Sequence, residues 1–480
     1  MKRIINITAL SFFILGLLSC GDEFLDKNDP SVLSFDKLYK NQKDFDAALA
    51  GCYYSFQNLT YSNIYWGDMP SDNIYLTPFQ ISSVWIDVKK CTYTATLSEF
   101  SNFWFNNYTT IQRVNLLLEN LPGSPLGDKD KKLMAAEAKF LRAFSYFYLL
   151  RMFGGVPLYD RYTDVQDMYD VPRASIEEMK NFIISDLEEA KNIDLYRSSG
   201  DKSEGRASST AAKALMAKTY LWVKDFAHAE PVLSELVGSS GLGLEDFDVL
   251  YHPDKPINKE IIFSINYERV QGFSFPGYSD FLAPGTKPDQ VYPNMSSLSC
   301  AGYGLIEHYT AKKFSPDDKR LGLLDTVWND NNIFSLKYID RATTSTGLSG
   351  TNTIVLRYAD VLLMYAEALN ENGKTAQAYP HINAVRKRAG IADLPTGYTK
   401  EQMFQALADE RQKEFLMEGD RWFDLVFRGL PFLKKEMGNY IPNAFLMQNL
   451  NIVIRDNCML FPIPESQTQV KPVLTQNPGY

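Results

Sequence analysis

One stretch of sequence that decides the fold occurs twice. Residues 207–237 read ASSTAAKALMAKTYLWVKDFAHAEPVLSELV, and residues 356–386 read LRYADVLLMYAEALNENGKTAQAYPHINAVR. An offset of 149 residues superimposes small, apolar and proline positions: Ala217 on Ala366, Ala229 on Ala378, Leu233 on Ile382 and Pro231 on Pro380. Apolar residues recur at helical spacing on both sides of a short polar break in each copy. Each copy is therefore expected to form two helices joined by a short turn.

The spacing within each copy is typical of a known helix pair. Twelve residues separate the two small positions, and a large apolar residue follows four positions later, as in tetratricopeptide repeats. Small side chains let the paired helices approach closely, and the large one fills the groove beside the next pair. Two unrelated helical hairpins are the alternative, but a proline shared inside the second helix favours a true repeat.

Apolar stripes with a spacing of three and four residues predict helices along most of the chain. They cover about 36–58, 101–121, 129–153, 175–193, 207–223, 353–372, 375–389 and 400–418. Residues 61–99 and 240–350 are instead rich in Gly, Pro, Asn and aromatic residues, with short strand-like pieces such as 260–266. The predicted fold is mainly α: tetratricopeptide-like helix pairs form a curved scaffold, with long irregular loops and a few short strands on one side.

The amino terminus has the pattern of an export signal. Lys2 and Arg3 precede an apolar run from Ile4 to Leu18, which is too short for a stable membrane span. The run closes with Leu-Leu-Ser-Cys, which resembles a bacterial lipobox and predicts lipidation of Cys20. We therefore expect residues 1–19 to be removed and residues 20–35 to form a tether. An ordinary secretory signal, with Cys20 incidental, is the alternative.

The charge of the mature chain argues against binding to nucleic acid. Without residues 1–19 the chain has 47 Lys and Arg against 58 Asp and Glu, a net charge of −11. There is no basic block in the sequence that would dock on a polyanion or on anionic lipid. Attachment to a membrane would therefore depend on the acyl chains of Cys20.

Four cysteines remain in the body of the mature chain: Cys52, Cys91, Cys300 and Cys458. Their wide spacing matches neither a disulfide-dense framework nor a metal site. Disulfides can form in an exported protein, so two interpretations are possible: the cysteines form one disulfide bridge, or they are buried thiols.

Four sequence blocks carry a resemblance to a known family. They are AEAKFLRA at 136–143 running on to FGGVPL at 153–158, RYADVLLMYAEA at 357–368, ERQKEFLMEGDRWFDL at 410–425, and PIP at 462–464 with QNPGY at 476–480. With the lipobox and the following Phe-Leu-Asp at 24–26, the set resembles the SusD/RagB family of surface nutrient-binding lipoproteins. The resemblance covers essentially the whole mature chain in the right order.

This resemblance implies a location, a partner and a function. The family is anchored to the outer membrane by lipid, faces outward, and partners a TonB-dependent transporter of the SusC type. It captures oligosaccharides, or in some members peptides, without catalysis and without a metal or cofactor. The resemblance also implies an amino-terminal half, 36–240, and a carboxyl-terminal half, 241–480, that pack as one globular unit.

The charged residues of the third block have a structural interpretation that needs no ligand. Glu414, Glu418, Arg421, Asp424 and Arg428 recur at spacings of three and four, so they can pair across neighbouring helical turns. Aromatic residues surround them in the sequence. We therefore predict an ion-pair network at a packed helix junction and not a catalytic acid–base pair. By the same argument the aromatic residues of the first block, Phe144, Phe147, Tyr148 and Phe153, are predicted to be core.

No catalytic signature supports an enzyme. The four histidines, His228, His252, His308 and His381, form no H-E-x-x-H motif, and neither G-x-S-x-G nor C-x-x-C occurs. Pairs of carboxylates are abundant, so counting residues does not eliminate a glycoside hydrolase. A scaffold that binds only proteins is a third possibility, and it would bind no small ligand.

Ligand contacts are expected where aromatic residues lie outside the segments with helical spacing. Twelve of the 48 residues from 61 to 108 are aromatic, or 25% against 13% in the whole chain. Sugar rings stack on flat aromatic side chains, and their hydroxyl groups need carboxylates and amides nearby. The candidates are Trp66 with Asp68, Asp72 and Asn73, Trp85 with Asp87, and Tyr278 and Tyr292 in the second loop region. We expect at least one of the two tryptophans to face solvent, although core packing is the alternative for every ring.

Overall fold

The computed structural model describes residues 39–75, 83–196, 205–255, 258–270, 305–327, 332–342, 348–438 and 452–480. Over those residues the chain is mainly helical, as the apolar stripes predict. The helices are α1 (Gln42–Asp68), α2 (Ser83–Lys90), α3 (Ser98–Asn120), α4 (Asp128–Phe153), α5 (Ile176–Ala190), α6 (Ile193–Tyr196), α7 (Ser209–Trp222), α8 (Phe226–Val237), α9 (Phe247–Leu250), α10 (His308–Ala311), α11 (Tyr358–Glu371), α12 (Thr375–Arg388), α13 (Lys400–Glu414), α14 (Arg421–Arg428), α15 (Leu430–Gly438) and α16 (Glu465–Thr468).

Short strands form two small antiparallel sheets. They are β1 (Ile74–Tyr75), β2 (Ile261–Ile265), β3 (Leu305–Ile306), β4 (Leu324–Val327), β5 (Asn332–Ser335) and β6 (Thr353–Arg357). One sheet has the order β1-β3-β5-β4, and the other pairs β2 with β6. Strand β1 therefore joins the first predicted loop region to the second, with Ile74 opposite Ile306.

The two copies of the repeat fold as the predicted helix pairs. Helix α7 packs against α8, α11 packs against α12, and α8 also contacts α11, so the two pairs stack. The small and large positions of the repeat have no exposed surface: Ala217, Ala229, Leu233, Ala366, Ala378 and Ile382. Pro231 and Pro380 lie inside α8 and α12 but are exposed, so the carbonyl groups that they leave unpaired can bond to water.

A capping serine and several glycines mark the ends of helices. Ser208 caps α7 by accepting a hydrogen bond from the amide of Ala211. Gly373 and Gly390 follow α11 and α12 with φ of 76° and 77°, a conformation that favours glycine. Gly154, with φ of 72°, directly follows the last residue of α4.

Two predicted boundaries are wrong. The helix predicted over 353–372 begins only at Tyr358, because residues 353–357 pair with β2 as strand β6. The region predicted to be irregular from residue 61 is helical up to Asp68, and α2 forms a further two turns within it. Helix α1 continues because its buried face continues as far as Trp66.

The main hydrophobic core includes side chains from Phe45 to Leu474, and therefore from both predicted halves. The boundary between those halves, at residues 240 and 241, and their packing as one unit stay predictions. A smaller cluster lies beside the four-stranded sheet and contains Met69, Ile74, Ile306, Phe314, Tyr338, Leu416 and Met417. The predicted core residues Phe144, Phe147, Tyr148 and Phe153 are buried, as predicted.

Three of the four body cysteines, Cys52, Cys91 and Cys458, are buried free thiols, and Cys300 lies outside the described residues. Across the part of the chain that the structure describes, no helix is both long and apolar enough to cross a membrane.

Candidate functional site

Trp66 lies on the last turn of α1 and is only 2% exposed. Its indole stacks on the ring of Phe100, with centroids 4.9 Å apart, and meets the edge of Phe461 at 5.1 Å. The prediction that Trp66 lies outside the helices is wrong. Since α1 continues past residue 61 and turns this side chain toward α3 and the carboxyl-terminal segment, the ring belongs to the core.

The polar candidates that follow Trp66 are buried as well. Asp68 accepts hydrogen bonds from the amide of Gly419 at 2.6 Å and from the side-chain amide of Asn73 at 3.0 Å. Asp72 forms a bidentate ion pair with Arg421, at 2.7 and 2.8 Å. These contacts join the segment after α1 to the start of α14. The prediction that Asp68, Asp72 and Asn73 are available to a ligand is contradicted by their burial.

The pKa values of the two buried carboxyl groups are shifted in opposite directions. Burial raises the pKa of Asp68 to about 7, in spite of the hydrogen bonds from Asn73 and Gly419. Burial also opposes ionisation of Asp72, but the guanidinium of Arg421 outweighs it and lowers the pKa of Asp72 to about 2. Asp72 is therefore a charged structural partner, and its charge is compensated within the fold.

Trp85 differs from Trp66 because part of its surface remains exposed. It lies on α2, and its ring stacks on that of Tyr65, with centroids 5.3 Å apart and an interplanar angle of 25°. The edge of Trp66 supports it at 5.6 Å. Tyr65 is half-buried too, so these two residues, the aromatic pair, form a supported surface feature. Tyr65 is one of the twelve aromatic residues from 61 to 108 but is not among the predicted ligand contacts; its place directly before Trp66 is the signal that the sequence offers for it.

A buried lysine holds helix α2 against the segment that follows α1. The ammonium group of Lys89 donates to the carbonyl oxygens of Ser71 and Ile74, the latter at 3.0 Å. Burial lowers the pKa of Lys89 to about 8, although the charges of Glu307 and Asp72 oppose the shift. Asp87 is exposed, but it lies two residues after Trp85 and therefore on the opposite face of α2, where it accepts a hydrogen bond from the hydroxyl of Thr92 at 2.9 Å. The aromatic pair therefore lies on a helix that is held in place, and Asp87, a predicted ligand contact, is not beside it.

The remaining candidates fall outside the described residues. Tyr278 and Tyr292 lie in the segment 271–304, and Cys20 lies before residue 39. Their roles in ligand binding and in lipidation stay predictions.

The predicted ion-pair network is confirmed, and it is larger than the sequence indicated. Arg421 and Arg428 both pair with Asp424, three and four residues away. Glu414 and Glu418 instead pair with Arg357, at 2.6 and 2.8 Å, which the sequence spacing did not reveal. Burial opposes ionisation of Glu414, but Arg388 and Arg357 outweigh it and hold its pKa well below the usual range. Compensated charges of this kind fit a structural junction better than an acid–base pair.

An internal crevice adjoins this network but is too small for a sugar. It is lined by residues that include Phe147, Lys218, Trp222, Asp420 and Phe427, and its volume is about 50 Å³. That space admits a few water molecules. Within the described ranges, no group of His, Cys, Asp and Glu side chains could hold a metal ion.

Two family models match most of the chain. Residues 301–480 match the model described as the SusD family, and residues 23–221 match one described as "starch-binding associating with outer membrane". The chain belongs to the SusD/RagB family. The expected family and the mainly helical fold are thereby confirmed.

Relatives in this family are similar over most of their length. SusD-like protein P38 of Formosa agariphila is 26% identical over 88% of this chain and 91% of its own. The starch-binding protein SusD of Bacteroides thetaiotaomicron is 24% identical, over 77% of this chain and 76% of its own.

Solved SusD-like structures share the fold. A SusD-like protein from Bacteroides fragilis superimposes with a TM-score of 0.79 at 21% identity, covering 93% of this chain and 99% of that one. A laminarin-binding SusD-like protein superimposes with a TM-score of 0.77 at 25% identity, covering 92% of this chain and 100% of that one.

Proposed function

We propose that this SusD/RagB protein binds an oligosaccharide at the outer surface of the outer membrane, without catalysis, and delivers it to a TonB-dependent transporter of the SusC type. Family membership supports glycan binding, since relatives are named for binding starch and laminarin. The resemblance of residues 17–20 to a lipobox supports the anchor, and the family model's description supports the membrane. The single observation that supports the proposed location of the binding site is the stacked aromatic pair, Tyr65 and Trp85.

The geometry of the pair suits a sugar ring. An aromatic face stacks on the apolar C–H face of a pyranose, and a rigid ring loses little entropy when it binds. Trp85 is held by Tyr65 and Trp66, and its helix is fixed through Lys89. A partly exposed ring that two other aromatic rings hold in place is a simple glycan subsite.

The test begins with a screen of glycans and peptides to identify a ligand, followed by calorimetry on variants. Trp85→Ala should weaken binding ten- to a hundredfold, about 1–3 kcal/mol, because a stacked ring at a binding site contributes on that scale. Phe105→Ala is the matched control, since Phe105 is an exposed aromatic residue on a different helix, α3. Its affinity should equal that of the unmodified protein.

Melting temperatures of the same variants separate binding from folding. If Trp85→Ala lowers the melting temperature but leaves the affinity of the folded protein unchanged, the aromatic pair is not the subsite. Tyr278 and Tyr292 would then become the candidates. Binding of peptides and of no glycan would replace the proposed ligand class, and chromatographic detection of a cleaved glycan would contradict the absence of catalysis.

Delivery to a transporter has a separate test. Purification in mild detergent through a tag after Tyr480 should recover a large outer-membrane barrel of the SusC type. Recovery of this protein without any barrel would contradict the proposed partner while leaving glycan binding intact.

A further inference from the structure

Two of the buried cysteines lie side by side. Cys91 directly follows the last residue of α2, and Cys458 lies in a single 3-10 turn, Asp456–Met459. Both side chains have no exposed surface, and the two thiols lie close enough for each to be the main influence on the pKa of the other. Positions 91 and 458 are 367 residues apart in the chain. Contact between two thiols so distant in sequence is a product of the tertiary fold.

Other contacts hold the two backbone segments together independently of the sulfur atoms. The guanidinium of Arg455 donates to the carbonyl oxygen of Cys91. Two residues beyond Cys91, the hydroxyl of Tyr93 accepts from that of Tyr480 at 3.1 Å, and the Tyr480 hydroxyl also lies 3.2 Å from the carbonyl oxygen of Asn457. Both segments flanking the thiols are therefore fixed on either side of the contact.

We propose that Cys91 and Cys458 form a disulfide bond in the exported protein. The predicted signal segment, residues 1–19, would send the chain to a compartment where disulfides form and persist. There the oxidant would be a protein of the thiol–disulfide oxidoreductase class that carries a disulfide of its own. The bond must form while the segments dock, before the core closes over the two sulfur atoms.

The exchange balances without any further reactant. One cysteine thiolate attacks the oxidant's disulfide, and a mixed disulfide forms as one sulfur of the oxidant leaves as a thiolate. The second cysteine then attacks the mixed disulfide, which joins Cys91 to Cys458 and releases the oxidant as a dithiol. Two electrons pass to the oxidant, and the two thiol protons pass through solvent to its sulfur atoms.

The bond would tie the end of α2 to the carboxyl-terminal segment. Because it closes a loop of most of the chain, it would restrict the unfolded state strongly. Cys52 provides an internal control, because it is equally buried but lies on α1 and is not part of this contact. Burial raises the pKa of its thiol to about 12, so its reactivity in the folded protein is low.

Peptide mapping of the full-length protein tests the proposal. Cells that express it would be lysed in a denaturing solution of iodoacetamide without reductant, and the purified protein would be digested. We expect two peptides, one with Cys91 and one with Cys458, that are linked by a disulfide and separate only after reduction. Cys52 should be alkylated directly. Direct alkylation of both Cys91 and Cys458, or a bond from either one to Cys300, would overturn the proposal.

Melting temperature gives a second readout. Each protein would be unfolded in denaturant with dithiothreitol, which exposes the buried sulfur atoms, and then refolded with dithiothreitol present. This treatment should lower the melting temperature of the unmodified protein and of Cys52→Ser by a few degrees. The same treatment should leave Cys91→Ser and Cys458→Ser unchanged, because they have no bond to lose. If the melting temperature of the unmodified protein does not change after this reduction and refolding, the proposed bond is contradicted.

Discussion

At the residue scale, buried ion pairs connect segments that are distant in sequence. Arg421 is buried and makes both of its short bonds to Asp72, which lies 349 residues earlier in the chain. Arg421→Ala should destabilise the protein by about 3–5 kcal/mol, because it leaves the Asp72 carboxylate buried without its partner. Denaturant unfolding monitored by circular dichroism measures the change. Lys434→Ala removes an exposed pair with Asp456 and should cost less than about 1 kcal/mol.

The same pair predicts a pH dependence. The pKa of Asp72 is about 2 in the folded protein, against an ordinary value of about 4 in an unfolded chain. A lowered pKa stabilises the fold above the unfolded value, and this contribution is lost as pH falls from about 4 through about 2. The melting temperature should fall in that window. The melting temperature of Arg421→Ala should fall less steeply over the same pH range. If the melting temperatures of both proteins depend on pH in the same way, Asp72 is not the group responsible.

At the scale of elements, small residues at the repeat positions determine how closely the helices pack. Ala366 is fully buried where α11 meets its neighbours, while Ala376 is exposed on α12. Ala366→Leu should destabilise the protein by about 1–3 kcal/mol through overpacking. Ala376→Leu adds the same atoms on the surface and should change stability by less than about 0.5 kcal/mol. Equal denaturation midpoints for the two variants would show that the close approach of α11 is not required.

At the scale of the whole molecule, the anchor determines where the protein resides. Cys20→Ala should release the protein from the outer-membrane fraction, because the acyl chains are the proposed attachment and the mature charge of −11 disfavours adsorption to anionic lipid. Cell fractionation with a high-salt wash measures this. Retention of the variant after the wash would contradict lipidation at Cys20, since salt screens adsorption by charge.

The sequence by itself determined the helices, their caps and the repeat, because these depend on residues only a few positions apart. Helical spacing places Ala366 and Ala378 on buried faces, and Gly373 ends a helix because it adopts a positive φ easily. The charge pattern of residues 414–428 likewise predicted a structural network, since its spacing matches a helical turn.

Only the tertiary structure decided which loop residues are buried. The cluster of aromatic and polar residues around Trp66 and Asp72 indicates a binding loop, but local composition does not reveal what packs over a segment. Phe100 and Arg421 cover them, and both come from other elements. The stacking of Tyr65 on Trp85 and the contact of Cys91 with Cys458 are decided in the same way. Exposure and contact across hundreds of residues depend on the packing of whole elements, which no local pattern encodes.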